Sequence, residues 1–325
     1  MFILYPLLAA ATLAAAQPRA PTKPKLIIDT DIYSDCDDVA ALALANLFHA
    51  RGQIELLGVA VDTPSRYGAP AVSSINTYYG HPTIPIAARK PVTNATFTPD
   101  YPHLLATRYP GVVRDGEDTP DPVPLYRELL AGQDDGSVTI VSVGYFENIA
   151  GLLNSTADAV SPLAGRDLVA KKVKEIVIMG GKYPAGSEFN FDSDNPSLVQ
   201  FITENWPTRM VFTGYEIGIN ILAGAVLTDY APKDSPVRAA YIAYNGPNKN
   251  RYAWDPTAVI YASFGLDNLF VYGNHGGSVY VQNNGSDVWR DSPTKDQHYL
   301  AFPEREGANV TIANRLDEWL LEKVH

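Results

Sequence analysis

The sequence predicts a single α/β domain built on an open, mainly parallel sheet with helices on both faces, a Rossmann-like arrangement. Strand-like and helix-like segments alternate along most of the chain. The strand-like runs are almost continuously apolar, as in sheets that are covered on both faces. The 325 residues are 46% hydrophobic, which is enough for one large core. We find no linker, repeat or low-complexity segment that would divide the chain.

The elements follow in order. Predicted strands cover residues 25–29, 54–61, 84–87, 138–143, 175–179 and 210–212. Predicted helices cover residues 37–49, 69–79, 122–130, 146–153, 197–205, 236–244, 257–264 and 308–323. Residues 270–272 and 278–281 are expected to form a small hairpin. Residues 89–121 are rich in Pro, Thr and Tyr and are predicted to form a long irregular excursion, which is often a binding loop.

The N-terminus is predicted to be a secretory signal peptide. Residues 1–16 are apolar, too short to span a bilayer, and end in three alanines before Gln17. The alternative is a buried or disordered N-terminal segment. We expect residues 17–325 to form the mature catalytic domain of a secreted, N-glycosylated protein. Acceptor sequons for N-glycosylation begin at Asn94, Asn154, Asn284 and Asn309.

Charge and composition limit the classes of partner that this protein is expected to bind. The net charge is −11 and there is no basic cluster, which argues against nucleic acid and anionic membranes. After the leader, no apolar run approaches the length of a membrane span. The single cysteine, Cys36, excludes an internal disulfide. A small molecule is therefore the expected partner.

An acidic turn follows the first predicted strand. Its five aspartates are Asp29, Asp31, Asp35, Asp37 and Asp38. Like charges this close repel each other unless a cation lies among them. Carboxylate oxygen ligands of this kind suit Ca²⁺ or Mg²⁺. Capping of the next helix is the alternative for a single aspartate, but one cap needs one carboxylate.

Other polar groups follow later strands, where ligands bind in open α/β sheets. Asp62 ends the second predicted strand, and Glu188 and Asn190 follow the fifth. Ordinary loop hydrogen bonding is the alternative for Glu188 and Asn190. Asp255 precedes a proline at a predicted helix start, where an N-cap is the alternative, and Trp254 beside it could be an ordinary core or surface aromatic.

Four segments in this order resemble the inosine–uridine-type nucleoside hydrolases. They are the aspartates at 29–38, Gly-Tyr-Phe-Glu-Asn-Ile-Ala at 144–150, Met-Gly-Gly followed by Glu-Phe-Asn within 179–190, and Trp-Asp-Pro-Thr-Ala-Val at 254–259. The resemblance covers nearly the whole mature chain. It implies a deep pocket with a tightly held Ca²⁺ and cleavage of ribonucleosides to base and ribose. It also suggests a homo-oligomer.

The resemblance implies roles for individual residues. Asp31, Asp38, Asp255 and the main-chain carbonyl of Glu147 would bind Ca²⁺. Asp37, or alternatively Asp35, would lie near the ribose or the attacking water. Glu188 and Asn190 would hold ribose hydroxyls. A carboxylate, Asp31 or Asp37, would take the proton of the water.

The chain departs from the family pattern in the site itself. Two extra residues separate Asp31 from Asp37, and Glu147 replaces the usual Thr, so that its side chain could add a carboxylate. An amide that usually lies between the Gly pair and the Glu-Phe-Asn segment is missing, and residues 182–187 are short.

Two further differences resemble the purine-preferring branch, which stacks the base between aromatic rings. Asp62 replaces Asn, and Trp254 replaces the His that protonates the leaving base. The excursion at 89–121 would supply the second aromatic wall. Tyr101 is the first candidate for it, with Tyr109 and His103 behind it.

The sequence therefore predicts a Ca²⁺-dependent purine ribonucleoside hydrolase. A non-catalytic secreted nucleoside- or sugar-binding protein on the same scaffold is the main alternative. A haloacid-dehalogenase-type phosphohydrolase is a weaker alternative. That class needs a Lys and a second acidic pair after a later strand, whereas here the acidic pair follows at once and no Lys has a clear matching position. An EF-hand-like loop is excluded because Ser34 and Ala40 occupy its Gly and Glu positions.

Overall fold

The computed structural model describes residues 23–323 except Ser34, Phe97, Asp194 and residues 292–294. The predicted signal peptide at residues 1–16 lies outside the described residues. Within the described part, none of the helices combines the length and the apolar character that crossing a membrane requires.

Thirteen strands are described. They are β1 (Lys25–Thr30), β2 (Glu55–Val61), β3 (Ile86–Ala88), β4 (Val138–Ser142), β5 (Val173–Met179), β6 (Ala185–Gly186), β7 (Arg209–Thr213), β8 (Leu222–Ala223), β9 (Arg251–Tyr252), β10 (Val271–Tyr272), β11 (Ser278–Val281), β12 (Asp287–Arg290) and β13 (Gln297–Ala301).

Helices connect most of these strands. They are α1 (Asp37–Ala50), α2 (Gly68–Tyr78), α3 (Tyr101–Arg108), α4 (Pro122–Ala131), α5 (Glu147–Asn154), α6 (Gly165–Lys172), α7 (Phe189–Asp192), α8 (Pro196–Asn205), α9 (Tyr215–Gly218), α10 (Leu227–Tyr230), α11 (Pro236–Asn245), α12 (Asp255–Phe264) and α13 (Ala308–Leu321). A 3₁₀ turn covers Gly116–Asp118.

The main sheet has eight strands in the order β10-β13-β7-β5-β4-β1-β2-β3. All neighbours are parallel except the edge strand β10, which runs antiparallel to β13. The chain moves outward from β1 in one direction through β2 and β3, and in the other through β4, β5 and β7. The strand order therefore reverses at β1, and the crevice beyond its carboxyl end is the expected ligand site of such a sheet.

Alternating side chains of the sheet pack into two cores. In β1, Leu26 and Ile28 lie in the core that includes α1, α2, α12 and α13. Ile27 lies in the core that α4, α5, α6 and α8 share. Since successive strand residues point to opposite faces, this pattern requires helices on both sides of the sheet. The predicted fold class is confirmed.

Helix α1 is the most enclosed helix next to the acidic turn. It packs against α2, α12 and α13, and every residue from Asp37 to Phe48 is buried. Its Ala- and Leu-rich sequence favours a helix, and its apolar side chains suit a position that is covered on all sides. The N-cap residue, Cys36, makes no side-chain cap hydrogen bond. The aspartates of this turn are therefore not explained as caps of α1.

The structure corrects two predictions about irregular regions. The expected hairpin between residues 270–272 and 278–281 is wrong, because β10 pairs with β13 and β11 pairs with β12. Two short strands, β12 and β13, were not recognised because their sequences mix polar and apolar residues without clear alternation. The excursion at 89–121 is also not wholly irregular, since it contains α3, which Asp100 caps through the backbone N–H of His103.

Gly144, directly after β4, lies where no side chain fits. A Cβ placed there would lie 2.6 Å from both the backbone N and Cβ of Asp31 and 2.6 Å from Oδ2 of Asp62. We expect Gly144→Ala to lower the free energy of unfolding by about 1–3 kcal/mol, because the backbone of Asp31, directly after β1, cannot move aside. Urea unfolding followed by tryptophan fluorescence measures this.

Gly132→Ala is the matched control for that substitution. It also adds one methyl group, but the nearest atoms would lie at an ordinary 3.7 Å. Equal unfolding midpoints for both variants would contradict the close packing between β1 and β4.

Candidate active site

A cavity of about 530 Å³ opens at the carboxyl ends of the central parallel strands. Its walls come from the segments that follow β1, β4, β5 and β7, and from the region around β9 and the start of α12. The described lining residues are Asp31, Asp35, Asp37, Asp38, Val143, Met179, Ser187, Glu188, Phe189, Asn190, Asp192, Tyr215, Tyr244, Arg251, Trp254 and Asp255. The sheet topology thus brings the two predicted anchors, residues 29–38 and 254–255, into one site.

Three buried carboxylates form the centre of the acidic wall. Asp37, Asp38 and Asp255 each offer an oxygen atom within 4.8 Å of the others. Asp31 is buried beside them, close to Asp38. The structure therefore places Asp31, Asp38 and Asp255 together as predicted, and adds Asp37 to the same group.

Two helix N-termini meet at these carboxylates. Asp37 begins α1, and its Oδ2 accepts hydrogen bonds from the backbone N–H groups of Trp254 (2.9 Å) and Asp255 (3.2 Å) at the start of α12. Asp38 accepts a hydrogen bond from the hydroxyl of Thr30. Since unpaired N–H groups and the helix dipole favour negative charge, both helices stabilise the cluster.

Burial still makes the charged form costly. Desolvation raises the pKa of Asp31 to about 7, and the neighbouring Asp35 charge adds to the effect. Desolvation, with the neighbouring carboxylates, also raises the pKa of Asp37, Asp38 and Asp255 well above the ordinary range. Carboxyl groups whose pKa is raised in this way hold protons near neutral pH unless a bound cation displaces those protons.

The donor set fits a hard cation. Three carboxylates converge, all are buried, and none of the lining residues within the described part of the chain is a His or Cys. All-oxygen ligands of this kind select Ca²⁺ or Mg²⁺ rather than zinc or copper. The buried triad could hold such a metal ion.

Two further carboxylates, Asp29 and Asp62, are buried beneath this cluster, on the side away from the cavity. Oδ2 of Asp29 accepts hydrogen bonds from the Tyr126 hydroxyl (2.5 Å) and the Asn148 amide (3.0 Å). Asp62 lies beside Asp29, and burial raises the pKa of both groups, that of Asp29 to about 6. Neither residue lines the cavity. The structure thus places Asp62, expected to contact substrate, beneath the site.

Glu188 and Asn190 lie on the same cavity wall, as predicted. The two carboxylate oxygens of Glu188 accept the backbone N–H groups of Gly181 and Asn190, each at 3.0 Å. Burial raises the pKa of Glu188 to about 8. The Asn190 amide donates to the carbonyls of Val143 (3.3 Å) and Met179 (3.2 Å). The loop hydrogen bonding considered as an alternative is therefore present, and it fixes both side chains at the cavity.

The short loop after β5 is held by acids from three elements. The N–H of Gly181 is bound by Glu188, as described. The next two N–H groups, of Lys182 and Tyr183, donate to Asp287 of β12 (2.9 Å) and Glu216 of α9 (3.0 Å). This arrangement fixes the segment from which the expected amide is missing.

Aromatic rings and one guanidinium form the remaining wall. The Trp254 ring lies 5.8 Å from Tyr215 and 5.3 Å from Tyr252 between ring centroids, and its Nε1–H donates to the carbonyl of Tyr215 (3.0 Å). Arg251 lies over the Trp254 ring, 5.2 Å from its centroid. The guanidinium of Arg251 therefore lies beside Trp254, at the wall where the base was expected to bind.

Arg251 forms an ion pair with Asp35 across the cavity wall. Its Nε lies 2.9 and 3.1 Å from the two carboxylate oxygens, and an Nη2 hydrogen bond completes the pair. Arg251, Tyr215 and Tyr244 were not among the predicted site residues. The available signals were the position of Tyr215 two residues after β7 and that of Arg251 three residues before Trp254.

Two other predicted residues lie away from the lining. Tyr101 is fully buried in α3, and its hydroxyl donates to the main-chain carbonyl of Asp35. No described residue of 89–121 lines the cavity. The Glu147 side chain faces Arg89, whose Nη1 lies 3.4 Å from Oε2. Tyr101 thus supports the acidic turn instead of forming a wall, and the Glu147 carboxylate is engaged elsewhere.

Comparison with known proteins agrees with this geometry. The family model for inosine–uridine preferring nucleoside hydrolases matches residues 26–320. A hydrolase of this name from Crithidia fasciculata is 27% identical over 201 residues, which cover 58% of this chain and 59% of the relative. The matched region thus spans about three fifths of that relative.

Solved structures show the same fold. A purine-preferring ribonucleoside hydrolase from Gardnerella vaginalis aligns with a TM-score of 0.66 at 16% identity, covering 91% of this chain and 99% of that one. An inosine–guanosine nucleoside hydrolase aligns with a TM-score of 0.68 at 16% identity, covering 93% and 100%. The family match extends from β1 to α13 and includes both anchors of the acidic site. The chain therefore belongs to the inosine–uridine preferring nucleoside hydrolase family.

Proposed function

We propose that this protein hydrolyses the N-glycosidic bond of purine ribonucleosides to free base and ribose, with Ca²⁺ as its metal. The observation that carries the proposal is the buried triad of Asp37, Asp38 and Asp255 at one cavity wall. Glu188 and Asn190 line the same cavity, which is large enough for a nucleoside. Both are positioned by backbone contacts to present polar groups to a sugar.

The acidic wall suits the chemistry of this reaction. Cleavage of an N-glycosidic bond builds positive charge on the ribose, which fixed carboxylates stabilise. When bound, Ca²⁺ would supply the charge that activates and orients water. Asp31 and Asp37 are the candidates for taking the proton of the water. Asp35 is paired with Arg251, so we assign the contact to ribose or water to Asp37.

The aromatic corner supports a purine preference. Trp254 replaces the expected acid, and Tyr215, Tyr244 and Arg251 line the cavity with it. Flat, polarizable groups of this kind favour a large planar base. Trp254 is held in place by its hydrogen bond to Tyr215, so its orientation is fixed before substrate binds.

We also propose that the protein is secreted after removal of residues 1–16. The proposal rests on the apolar leader and on sequons whose positions suit glycosylation. Asn94, Asn154 and Asn284 are exposed, whereas Asn309 is half-buried.

The direct test is release of free base from inosine, guanosine, adenosine and uridine, measured by chromatography with and without chelator. We expect purine nucleosides to be cleaved fastest and chelator to stop the reaction. Asp31→Ala should lower kcat/KM by about 10²–10⁴-fold, because it removes a carboxylate from the proton-accepting wall. It should also weaken Ca²⁺ binding.

Asp234→Ala is the control, since it removes an exposed carboxylate that lies 4.0 Å from Lys323 and does not line the cavity. Full activity in Asp31→Ala would contradict the assignment. Nucleoside binding without base release in the wild-type protein would support the non-catalytic alternative.

The raised pKa of Asp31 predicts how stability depends on pH. Folding raises this pKa from 3.8 to about 7. Without metal, the folded state therefore binds more protons than the unfolded state between these values, and stability falls as pH rises from about 4 to 7. Stabilisation by Ca²⁺ should grow over the same interval, because the cation displaces those protons. Tm measured in EDTA and in CaCl₂ across this range checks both trends.

Asp255→Asn gives the matched comparison. Removing one charge should raise the Tm of the metal-free protein near neutral pH and reduce its response to Ca²⁺. A metal-free wild-type protein whose Tm increases steadily from about pH 4 to 7 would contradict the repulsion at this site.

A further inference from the structure

The cavity has an unusual charge distribution that the proposed reaction does not by itself explain. Seven of its described lining residues are Asp or Glu, and Arg251 is the single Arg or Lys among them. Among so many carboxylates, an arginine side chain keeps one orientation only if several contacts hold it. Arg251 has such contacts.

Arg251 is fixed by one ion pair and several rings. Asp35 binds its Nε and Nη2. The guanidinium carbon lies 5.2 Å from the ring centroid of Tyr244, 5.7 Å from that of Tyr252 and 5.2 Å from that of Trp254. Within the described part of the chain, Nη1 donates to no acceptor. A fixed guanidinium with remaining N–H groups at a cavity wall is a preorganised hydrogen-bond donor.

The guanidinium is also close to the predicted sugar site. Asp37 binds the backbone N–H groups of Trp254 and Asp255, and the Trp254 ring centroid lies 5.2 Å from the guanidinium carbon of Arg251. A base attached to a ribose beside Asp37 and Asp255 would extend toward the Trp254 and Arg251 corner. Arg251 is therefore placed on the leaving-group side of the cavity.

Leaving-group chemistry needs such a group. When the bond between C1′ and N9 breaks, its electron pair stays on the base. None of the described lining residues is a His, Lys or Cys that could protonate the base. Burial raises the pKa of the Tyr244 hydroxyl to about 12, so it is a poor acid at neutral pH. Charge stabilisation by a hydrogen bond is the remaining route from this wall.

We propose that Arg251 is a catalytic residue that hydrogen-bonds the acceptor edge of the leaving purine and stabilises its negative charge. This inference rests on the proposed function. The water oxygen bonds to C1′ as the bond to N9 breaks, and one water proton passes to a carboxylate. The base then gains a proton from solvent, so that water supplies OH to the ribose and, in net terms, H to the base.

This role selects a subclass of purines. A guanidinium offers only donors, and N7 and O6 of hypoxanthine or guanine are two adjacent acceptors that match its fork. Adenine presents an amino donor in place of O6. Inosine and guanosine are therefore the preferred substrates, and adenosine is a poorer one.

The test compares two leaving groups. Inosine releases a purine that needs stabilisation, whereas p-nitrophenyl riboside releases a phenolate that is already a stable anion. We expect Arg251→Gln to lower kcat on inosine by about 10²-fold and to change p-nitrophenyl riboside turnover by less than about threefold. Arg251→Lys should recover part of the inosine rate, since it keeps the charge but loses the fork.

Arg209→Gln is the matched control. Arg209 is also paired with an aspartate, Asp296 (3.1 Å), and lies 6.0 Å from the Tyr272 ring centroid, outside the cavity lining. The Arg209→Gln variant should turn over both substrates at the wild-type rate. Equal losses on inosine and p-nitrophenyl riboside in Arg251→Gln, or no loss on either, would overturn the proposal.

Calorimetric titration with free bases separates this proposal from the proposed function. Wild-type protein that cleaves neither substrate contradicts the hydrolase assignment, yet the contact to the base is still measurable. Arg251→Gln should weaken hypoxanthine binding by about tenfold and adenine binding by clearly less, because adenine offers only N7 as an acceptor to the guanidinium. Unchanged hypoxanthine affinity would overturn the role of Arg251 independently of turnover.

Discussion

Mutual repulsion among buried carboxylates is the constraint on which the rest of this site depends. Asp31, Asp37, Asp38 and Asp255 lie together in a region with little access to water, where unpaired charge is costly. The fold answers with the N-termini of α1 and α12, whose dipoles favour negative charge. These partial charges hold the cluster together without neutralising it. The negative charge that is not neutralised favours binding of a divalent cation at this wall.

Acidic side chains have three different tasks around one cavity. The triad gathers charge, Asp35 holds a guanidinium, and Asp287 and Glu216 bind backbone N–H groups of the loop after β5. Because acidic side chains hold the backbone of the short loop after β5, this loop still positions Glu188 at the cavity without the amide that is usual in the family. A net charge of −11 thus includes acids that organise structure as well as those that face a ligand.

Much of the scaffold could be predicted because its signals are local. Buried parallel strands such as β5 are continuous apolar runs, and α1 is an unbroken helical pattern after an acidic turn. The hairpin error at β10 and β11 arose because edge strands take their partner from tertiary packing, which local sequence does not encode. The same holds for Tyr101. Its aromatic character was visible, but its burial in α3 depends on contacts with the acidic turn.

Within the site, several acidic residues close to strand ends were predictable, whereas the ion pair between Arg251 and Asp35 was not. Asp31, Asp38 and Glu188 follow strands, where the sheet topology implies a ligand crevice. Arg251 reaches the cavity from β9, and its partner Asp35 is 216 positions away along the chain. Nothing in the sequence near Asp35 identifies that partner. Long-range ion pairs of this kind need the folded arrangement to become visible.

The two hydrogen bonds from α12 to Asp37 also determine when the site can exist. They join positions 217 and 218 residues apart, so the first strand emerges from the ribosome long before its partner does. A nascent chain that has not yet reached α12 carries the acidic turn without the N–H groups that stabilise it. The cluster is completed only when the first and last thirds of the domain meet, and a bound cation would therefore stabilise contacts that join distant parts of the chain.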